Sequence, residues 1–371
     1  MGKRVERRLA AILVADVAGY SHLKHRMSST IALGRAFTVL IVAMAFWSGI
    51  STGHAQKANP AAVQEHIAAA TAAAGLDLLG PLTLCKTATP TPAPSYFDNY
   101  RAMLKEPPLE PMQVMDELYF LGSRWTTAWA IKTSAGIIIV DAMNNAAEAE
   151  QYIEGGLRKL GLNPADIRYV VVSHAHGDHY GGAQYLKDKF NPRVVMSEID
   201  WNALEETQRD PLFGTKRNPL FGEPPKRDQS VNDGDTIRLG GTALKLYVIP
   251  GHTLGTLATA FTVHDRGEPH RAVAWGGTAY NFGPLRDRLQ LYSETTQKYR
   301  DILKEEKTDI FLSNHASFDA SLAKMATLKE RQPGQPNPYV VGLDAVQRFL
   351  TILGECALAT KASIGNDTPG K

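Results

Sequence analysis

The amino-acid sequence predicts an α/β fold, in which apolar strands alternate with amphipathic helices. Residues 118–120, 126–132 and 136–141 show three strand patterns in succession. Residues 145–160 place apolar side chains at helical spacing, and the next segment, 170–172, is again an apolar strand. This order of elements is typical of α/β domains. With 371 residues and 44% hydrophobic content, the chain is long enough for one large domain with a substantial core.

The beginning of the chain is composite. Residues 1–26 are basic, and the run from Arg7 to Ser21 resembles the opening strand of a class III nucleotide cyclase domain, in which an aspartate equivalent to Asp16 binds metal. The resemblance ends within this segment, and no second metal-binding aspartate follows it. We therefore expect a fusion remnant or a start codon assigned too early, rather than a cyclase.

A second start fits at Met27. Arg35 precedes an apolar stretch, residues 36–50, and Gly53-His54-Ala55 offers small residues where a signal peptidase cuts. This layout is typical of a secretory signal peptide, and the stretch is short for a membrane span. We expect cleavage after Ala55 and a periplasmic or secreted protein with no stable membrane association. The alternative is an uncleaved leader that anchors the protein to the membrane.

The charge balance gives no reason to expect a nucleic-acid partner. The full chain has a formal net charge of +2, and loss of residues 1–55, which hold an excess of Lys and Arg, leaves a slightly acidic protein. A basic surface is the minimum requirement for binding nucleic acid. The sequence leaves the oligomeric state open.

The other segments can be assigned in chain order. Residues 57–75 are alanine-rich and predict a helix, whereas residues 81–96 hold four prolines and predict an extended arm. Residues 235–249 predict a hairpin that turns on Gly240-Gly241. Residues 342–357 place apolar side chains at helical spacing and predict a helix that packs on the domain or on a partner subunit.

Two features leave alternatives open. An irregular insertion, residues 201–233, contains Pro-Leu-Phe-Gly twice. Long loops in compact domains are often lids or binding loops, so Phe213 and Phe221 either wall a substrate pocket or pack locally. The two cysteines, Cys85 and Cys356, either form a disulfide, as an oxidising compartment allows, or stay buried thiols.

The strand at residues 170–172 runs into a histidine-rich motif that predicts a metal site. The motif reads His-x-His-x-Asp-His, from His174 to His179. Side chains i and i+2 of a strand share one face, so His174 and His176 can hold one ion together, while Asp178 and His179 can hold a second. Imidazole nitrogens and carboxylate oxygens are common zinc ligands, and catalytic zinc sites keep one position open for water.

These residues resemble the metal-binding motifs of the metallo-β-lactamase superfamily, and the resemblance covers residues 115–331. It implies a four-layer αββα sandwich, here with a C-terminal helical extension, and two zinc ions at one edge of the packed sheets. The implied ligands are His174, His176 and His252 for the first zinc, and Asp178, His179 and His315 for the second. Asp141 matches the strand-end aspartate that usually buttresses such ligands.

The resemblance also divides the chain. We expect a cyclase-like remnant or misassigned start at 1–26, a signal peptide at 27–55, an N-terminal arm at 56–112, the metallo-β-lactamase domain at 113–331 and the helical extension at 332–371.

Two absences indicate the branch of the superfamily. Glyoxalase and lactonase types carry a Gly-Asp-Thr-like element whose aspartate bridges both metals, but here Gly277 stands at the aspartate position. The commonest lactamase subclass uses a cysteine near this point, and this chain has none there. A second site of Asp, His and His resembles the third subclass of class B β-lactamases. We expect Gly277→Asp to tighten the second ion and slow lactam turnover.

The resemblance implies a zinc-dependent hydrolase, specifically an exported β-lactamase of the kind that causes antibiotic resistance. A hydroxide held by two zinc ions would open the β-lactam amide of a small-molecule substrate, because the ions lower the pKa of water from about 15.7 toward 7. Asp178 would take part as a catalytic residue. Thr278, Tyr280 and Asn281 would hydrogen-bond the substrate in place of the serines of known members, unless Tyr280 simply packs.

Two other functions remain open at this point. One is a related hydrolase that acts on a lactone, ester or thioester. The other is a membrane-tethered signalling protein whose cyclase-like head matters. The zinc-bound hydroxide makes a serine or cysteine nucleophile unnecessary, and we expect Ser173 to be structural because strand alternation points it away from His174.

Overall fold

The structure, a computed structural model, describes residues 58–88, 107–209 and 220–364. The predicted cyclase-like remnant and signal peptide lie outside these residues, as does Phe213. In the part of the chain that is described, no helix combines the length and the apolar character needed to cross a membrane.

The first half of the described chain forms a seven-stranded mixed sheet. Its strands follow one another in sequence order: β1 (Met112–Gln113), β2 (Leu118–Gly122), β3 (Thr127–Thr133), β4 (Gly136–Val140), β5 (Ile167–Val171), β6 (Arg193–Ser197) and β7 (Gln229–Val231). Pairing is antiparallel from β1 to β4 and parallel from β4 to β7. The Ile-Ile-Ile-Val run of β4 is buried, as expected for a β-branched strand covered on both faces.

The second sheet has five strands in the order β12-β11-β10-β9-β8. They are β8 (Thr236–Leu239), β9 (Thr242–Val248), β10 (Leu257–Asp265), β11 (Glu268–Trp275) and β12 (Ile310–Ser313). Neighbours are antiparallel except for β11 and β12, which are parallel. The predicted hairpin is confirmed, and both glycines of its turn have positive φ angles, +54° at Gly240 and +86° at Gly241.

The helices cover the outer faces of both sheets and both ends of the described chain. They are α1 (Pro60–Ala74), α2 (Leu79–Leu82), α3 (Ala146–Glu148), α4 (Gly155–Lys159), α5 (Gly177–Tyr180), α6 (Ala183–Phe190), α7 (Glu198–Arg209), α8 (Arg286–Glu305), α9 (Ser321–Lys329) and α10 (Leu343–Ser363). A π-helical turn, Ala149–Glu154, joins α3 to α4. The predicted helix at 145–160 is therefore present, with one widened turn in its middle.

Three apolar clusters separate four layers. Trp129 of the first sheet and Phe261 of the second lie in the cluster between the sheets. Trp201 of α7 belongs to the cluster that joins the first sheet to its helices. On the opposite side, Phe311 of β12 stacks on Phe349 of α10 with 3.9 Å between ring centroids. The predicted αββα sandwich is confirmed.

The C-terminal helix α10 closes the fourth layer and packs against both α8 and α1. A disulfide between Cys85 and Cys356 ties it to the segment after α2, so the first of the two alternatives for the cysteines is correct. A hydrogen bond between His66 of α1 and Glu355 adds a polar link, with 2.7 Å between Nδ1 and Oε2.

The extended arm predicted at 81–96 is wrong for its described part, residues 81–88. This part is helical, with α2 followed by a 3₁₀ helix, Thr83–Ala88. Pro81 lies within the first turn, where its missing N–H costs nothing. Leu84 and Cys85 are buried against α10, so tertiary packing and the disulfide outweigh the local proline content.

Candidate metal centre

The predicted ligands come together at the carboxyl ends of strands from both sheets. Asp141 follows β4, and the histidine-rich motif follows β5, the neighbouring parallel strand. His252 lies on the turn between β9 and β10, and His315 follows β12. Strand ends of this kind are where α/β folds build their sites.

The first ligand group consists of three imidazole nitrogens. Nε2 of His252 lies 3.0 Å from Nε2 of His174 and 3.0 Å from Nδ1 of His176. His174 and His252 are buried, and His176 is half-buried. The side chains offer one nitrogen each to a common point, in the arrangement expected for one metal ion.

The second group combines a carboxylate with two imidazoles. Oδ2 of Asp178 lies 3.3 Å from Nε2 of His179 and 3.6 Å from Nε2 of His315. The two groups are adjacent, because the ring centroids of His174 and His179 are 4.3 Å apart. The geometry is therefore that of a dinuclear site.

The outer ring nitrogens show that the inner ones are available as ligands. Nδ1 of His252 donates to the carbonyl of Ala279 at 2.6 Å, and Nδ1 of His315 donates to the carbonyl of Trp125 at 3.1 Å. A carbonyl only accepts, so the proton lies on Nδ1 and the Nε2 lone pair faces the group. Lone pairs that converge at 3.0 Å repel one another unless a cation lies between them. The residues present therefore fit zinc.

Burial keeps four of the histidines neutral. It lowers the pKa of His176 to about 4, and burial together with the charge of His179 lowers that of His315 to about 4. The pKa values of His174 and His252 are lowered well below the usual range for the same reason, with neighbouring histidines adding to the effect. Neutral imidazole is the form that binds metal.

His179 behaves differently because it lies between two carboxylates. Burial would lower the pKa of His179, but Asp178 and Asp141 outweigh it and raise that pKa to about 10. Burial would raise the pKa of Asp178, but the charge of His179 outweighs it and holds that pKa well below its usual range. Metal binding at the second group must therefore displace a proton from His179.

Asp141 links the two ligand groups through hydrogen bonds. Its Oδ2 accepts from Nδ1 of His179 at 2.9 Å and from Oγ of Ser173 at 3.0 Å, and its Oδ1 accepts from the Ser173 amide at 2.7 Å. Oγ of Ser173 lies 2.9 Å from Nδ1 of His174. The aspartate thus orients His179 directly and His174 through Ser173, which fits a structural role for that serine. The expectation that Ser173 points away from His174 is wrong, because β5 ends at Val171 and strand alternation does not extend to these residues.

Two buried polar residues around the site were missing from the sequence-based prediction. Nδ2 of Asn314 donates to the carbonyl of Gly276 behind the ligands. The carboxylate of Asp200 accepts from the backbone amides of Ala175 and Gly255. In the sequence Asp200 looks like an ordinary acidic residue in the first turn of a helix. Its position just after a strand that neighbours the motif strand was the available signal.

The structure contradicts the expected effect of Gly277→Asp. A Cβ atom on Gly277 would lie 2.5 Å from Cβ and 2.7 Å from Cγ of His252. A side chain here would press on a ligand of the first group instead of reaching between the two groups. The variant should therefore weaken the first ion, and the expected tightening of the second has no structural basis.

The residues predicted to contact substrate have different surroundings. The Tyr280 hydroxyl donates to the carbonyl of Leu353 in α10, and its ring packs edge-on against Tyr292, 4.9 Å between centroids. The Tyr280 hydroxyl thus bonds to the helix layer that α10 forms, and the structure does not support a substrate contact for this hydroxyl. Asn281 is exposed, and its contact with substrate stays a prediction.

Phe221 lies directly on the metal-binding motif. A Cβ atom on Gly177 would come within 2.3 Å of the Phe221 ring, so the ring covers the start of α5, which carries Asp178. The neighbouring Gly222 amide donates to the carbonyl of Asn144 at 2.8 Å and holds the segment in place. Phe221 therefore packs on the site, and its role as a pocket wall stays a prediction.

Comparison with known proteins agrees with this geometry. Residues 125–266 match the metallo-β-lactamase superfamily. BJP-1, a subclass B3 metallo-β-lactamase of Bradyrhizobium japonicum, is 29% identical with a TM-score of 0.56 and covers 65% of this chain and 90% of its own. FEZ-1 from Legionella gormanii is 24% identical with a TM-score of 0.55, over 65% of this chain and 92% of its own, which supports the fold alone.

Curated relatives carry other names. A hydroxyacylglutathione hydrolase of Rhodopseudomonas palustris (strain BisA53) is 32% identical over 38% of this chain and 43% of its own length. An acyl-coenzyme A thioesterase of Gallus gallus is 24% identical over 47% of this chain and 65% of its own. The chain thus spans about half the length of the first relatives it matches, between 43% and 50%. In fold, ligand geometry and sequence the chain resembles the metallo-β-lactamase superfamily, which residues 125–266 match, and its structural neighbours include subclass B3 metallo-β-lactamases.

Proposed function

We propose that this metallohydrolase binds two zinc ions and hydrolyses the amide bond of a β-lactam. The observation that carries the proposal is the composition of the second ligand group. Among the described residues this group holds Asp178, His179 and His315. Gly277, at the position of the bridging aspartate of glyoxalase-type enzymes, is packed against His252 and contributes no carboxylate.

The chain's own contribution to catalysis is position and charge. Zinc bound here would acidify a water molecule and polarise a carbonyl. The first group offers three neutral imidazoles, whereas the second offers the anionic Asp178, so the two ions would keep different net charges. The Ala279 and Trp125 carbonyls and the Asp141 carboxylate hold three ligand rings in fixed tautomers. A site fixed in this way needs little reorganisation during reaction.

A second candidate substrate is a thioester or a lactone. The observation that favours it is the similarity of residues in this domain to a hydroxyacylglutathione hydrolase and to an acyl-coenzyme A thioesterase. These relatives are matched over part of their length, whereas BJP-1 is covered over 90% of its chain. Coverage therefore favours the lactam as the first substrate to test.

The test is a paired assay on purified, zinc-loaded protein. Nitrocefin, a homoserine lactone and an acyl-glutathione thioester are offered at equal concentrations. We expect fastest turnover of nitrocefin, with activity abolished by a chelator and restored by zinc. His176→Ala should be inactive, whereas His264→Ala, which changes a histidine paired with Glu117 outside the ligand groups, should keep wild-type activity. Rapid cleavage of the thioester or lactone without lactam turnover would reject the β-lactamase proposal and leave the metal site standing.

Export completes the proposal. The assignment of a signal peptide to residues 27–55 rests on the basic start, the apolar stretch and the small-x-small ending of this segment. N-terminal sequencing of protein from the periplasmic fraction should then read from Gln56. A soluble protein that begins near Met1 would reject the localisation.

A further inference from the structure

Asp200 lies at the end of a strand next to the metal-binding motif. It follows β6, and β6 pairs in parallel with β5, which delivers the motif. On the other side of β5, β4 delivers Asp141 in the same way. Three adjacent parallel strands therefore carry a carboxylate, the ligands and a second carboxylate at one edge of the sheet.

The Asp200 carboxylate joins the two chain segments that supply the first ligand group. Its side chain is fully buried. Oδ2 accepts from the amide of Ala175 at 2.9 Å, between His174 and His176. The same oxygen accepts from Oγ1 of Thr253 at 2.6 Å, next to His252. Both contacts thus lie one residue from a ligand.

The other carboxylate oxygen holds the far end of the His252 turn. Oδ1 of Asp200 accepts from the amide of Gly255 at 2.9 Å. A Cβ atom at Gly255 would lie 2.5 Å from this oxygen and 2.3 Å from Oγ of Ser197. The turn can approach the carboxylate this closely only because residue 255 has no side chain.

The same turn is held from its carbonyl side by a cation. Nε of Arg288 donates to the carbonyl of Gly251 at 2.7 Å, and Nη2 donates to that of His252 at 3.1 Å. An anion therefore holds the N–H groups of the turn and a cation holds its carbonyls. Each charge faces the backbone dipole that it stabilises, which fixes the position of His252.

We infer that Asp200 is a positioning residue for the first metal ion. It sets the separation between the motif turn and the His252 turn, and with it the 3.0 Å between Nδ1 of His176 and Nε2 of His252. Asp141 holds His179 of the second group. The two carboxylates thus serve different ions. The inference rests on the proposed two-zinc site and does not depend on the substrate.

A carboxylate is required at this position because three donors point at it. Asparagine has nearly the same shape but offers one acceptor oxygen and an NH₂ group. Whichever way the amide turns, a donor faces a donor. We expect Asp200→Asn to weaken the first ion by about 10–100-fold, the usual effect of changing a partner behind a metal ligand.

The experiment is a zinc titration of metal-free wild type, Asp200→Asn and His176→Ala, followed by cobalt substitution and absorption spectroscopy. His176→Ala identifies the binding step and the cobalt band that belong to the first group. Asp200→Asn should weaken that step and shift that band, while the other step changes little. Asp265→Asn, which alters a carboxylate bound to Arg331, is the matched control and should titrate like wild type.

The outcomes separate the two proposals. If wild type binds fewer than two zinc ions, the proposed site fails. If wild type binds two and Asp200→Asn titrates identically, the role of Asp200 alone is rejected, and equal weakening of both steps rejects it too. Should Asp200→Asn not fold, Thr253→Val removes the hydroxyl contacts with Oδ2 of Asp200 and Oγ1 of Thr256 but leaves both amide contacts of Asp200 in place. This variant must weaken the same step by a smaller factor.

Discussion

The tight packing of Gly277 against His252 predicts that even a methyl group at residue 277 damages the first metal site. In Gly277→Ala the new Cβ would lie 2.5, 2.7 and 2.8 Å from Cβ, Cγ and Cδ2 of His252, where ordinary contact begins at 3.4 Å. Residue 277 cannot retreat easily, because Oη of Tyr292 donates to its carbonyl at 3.0 Å. The imidazole must therefore move by about 1 Å.

A shift of this size exceeds the tolerance of about 0.2 Å in a zinc–nitrogen bond. Overpacking of this kind costs about 1–3 kcal/mol. If that cost is taken from the binding free energy of the first zinc ion, this ion binds about 5–150-fold more weakly. Competition with a chromophoric chelator measures the stepwise zinc affinities of the wild type and of Gly277→Ala. Gly155→Ala, on the helical α4 segment, is the control and should bind zinc like wild type. Unchanged affinity for the first ion in Gly277→Ala would refute the reasoning.

Three further outcomes are expected. Asp178→Asn should reduce the zinc content from two ions per chain toward one at limiting zinc, by elemental analysis, because the second group loses its anionic ligand. Cys356→Ser should lower the free energy of unfolding by about 2–5 kcal/mol in urea, since the bond to Cys85 closes a loop across 271 residues; equal stability of reduced and oxidised wild type would contradict this. The hydrogen bond from Arg331 lowers the pKa of Asp265, so its stabilisation is present above the unfolded pKa, about 3.9, and is lost as pH falls below it. Asp265→Asn should therefore flatten the acid side of the stability profile in urea titrations.

The ligand set could be predicted from the sequence because its pattern is local. His174 to His179 directly follow the apolar strand β5, so the whole motif lies at one end of that strand. His252 after a Pro-Gly turn and His315 after β12 are also marked by their immediate neighbours. The same holds for the strands β2 to β4 and for the β8–β9 hairpin, whose alternation and turn glycines are local signals.

Elements that depend on distant packing could not be predicted. The buried face of α8 includes Thr295 and Thr296, whose hydroxyls bond to backbone carbonyls, so the helix lacks a simple apolar stripe. Tyr280 turns toward α10, and its partner Leu353 lies 73 residues away. Asp200 bonds across 25 and 55 residues to Ala175 and Gly255, and only the pairing of β5 with β6 brings these segments together.

The measurement that tests the central claim most directly is anomalous diffraction at the zinc edge from crystals of the zinc-loaded protein. The account predicts two peaks. One lies among Nε2 of His174, Nδ1 of His176 and Nε2 of His252, and the other lies among Asp178, His179 and His315. A single peak at full occupancy, or a second ion held by other residues, would contradict the dinuclear site.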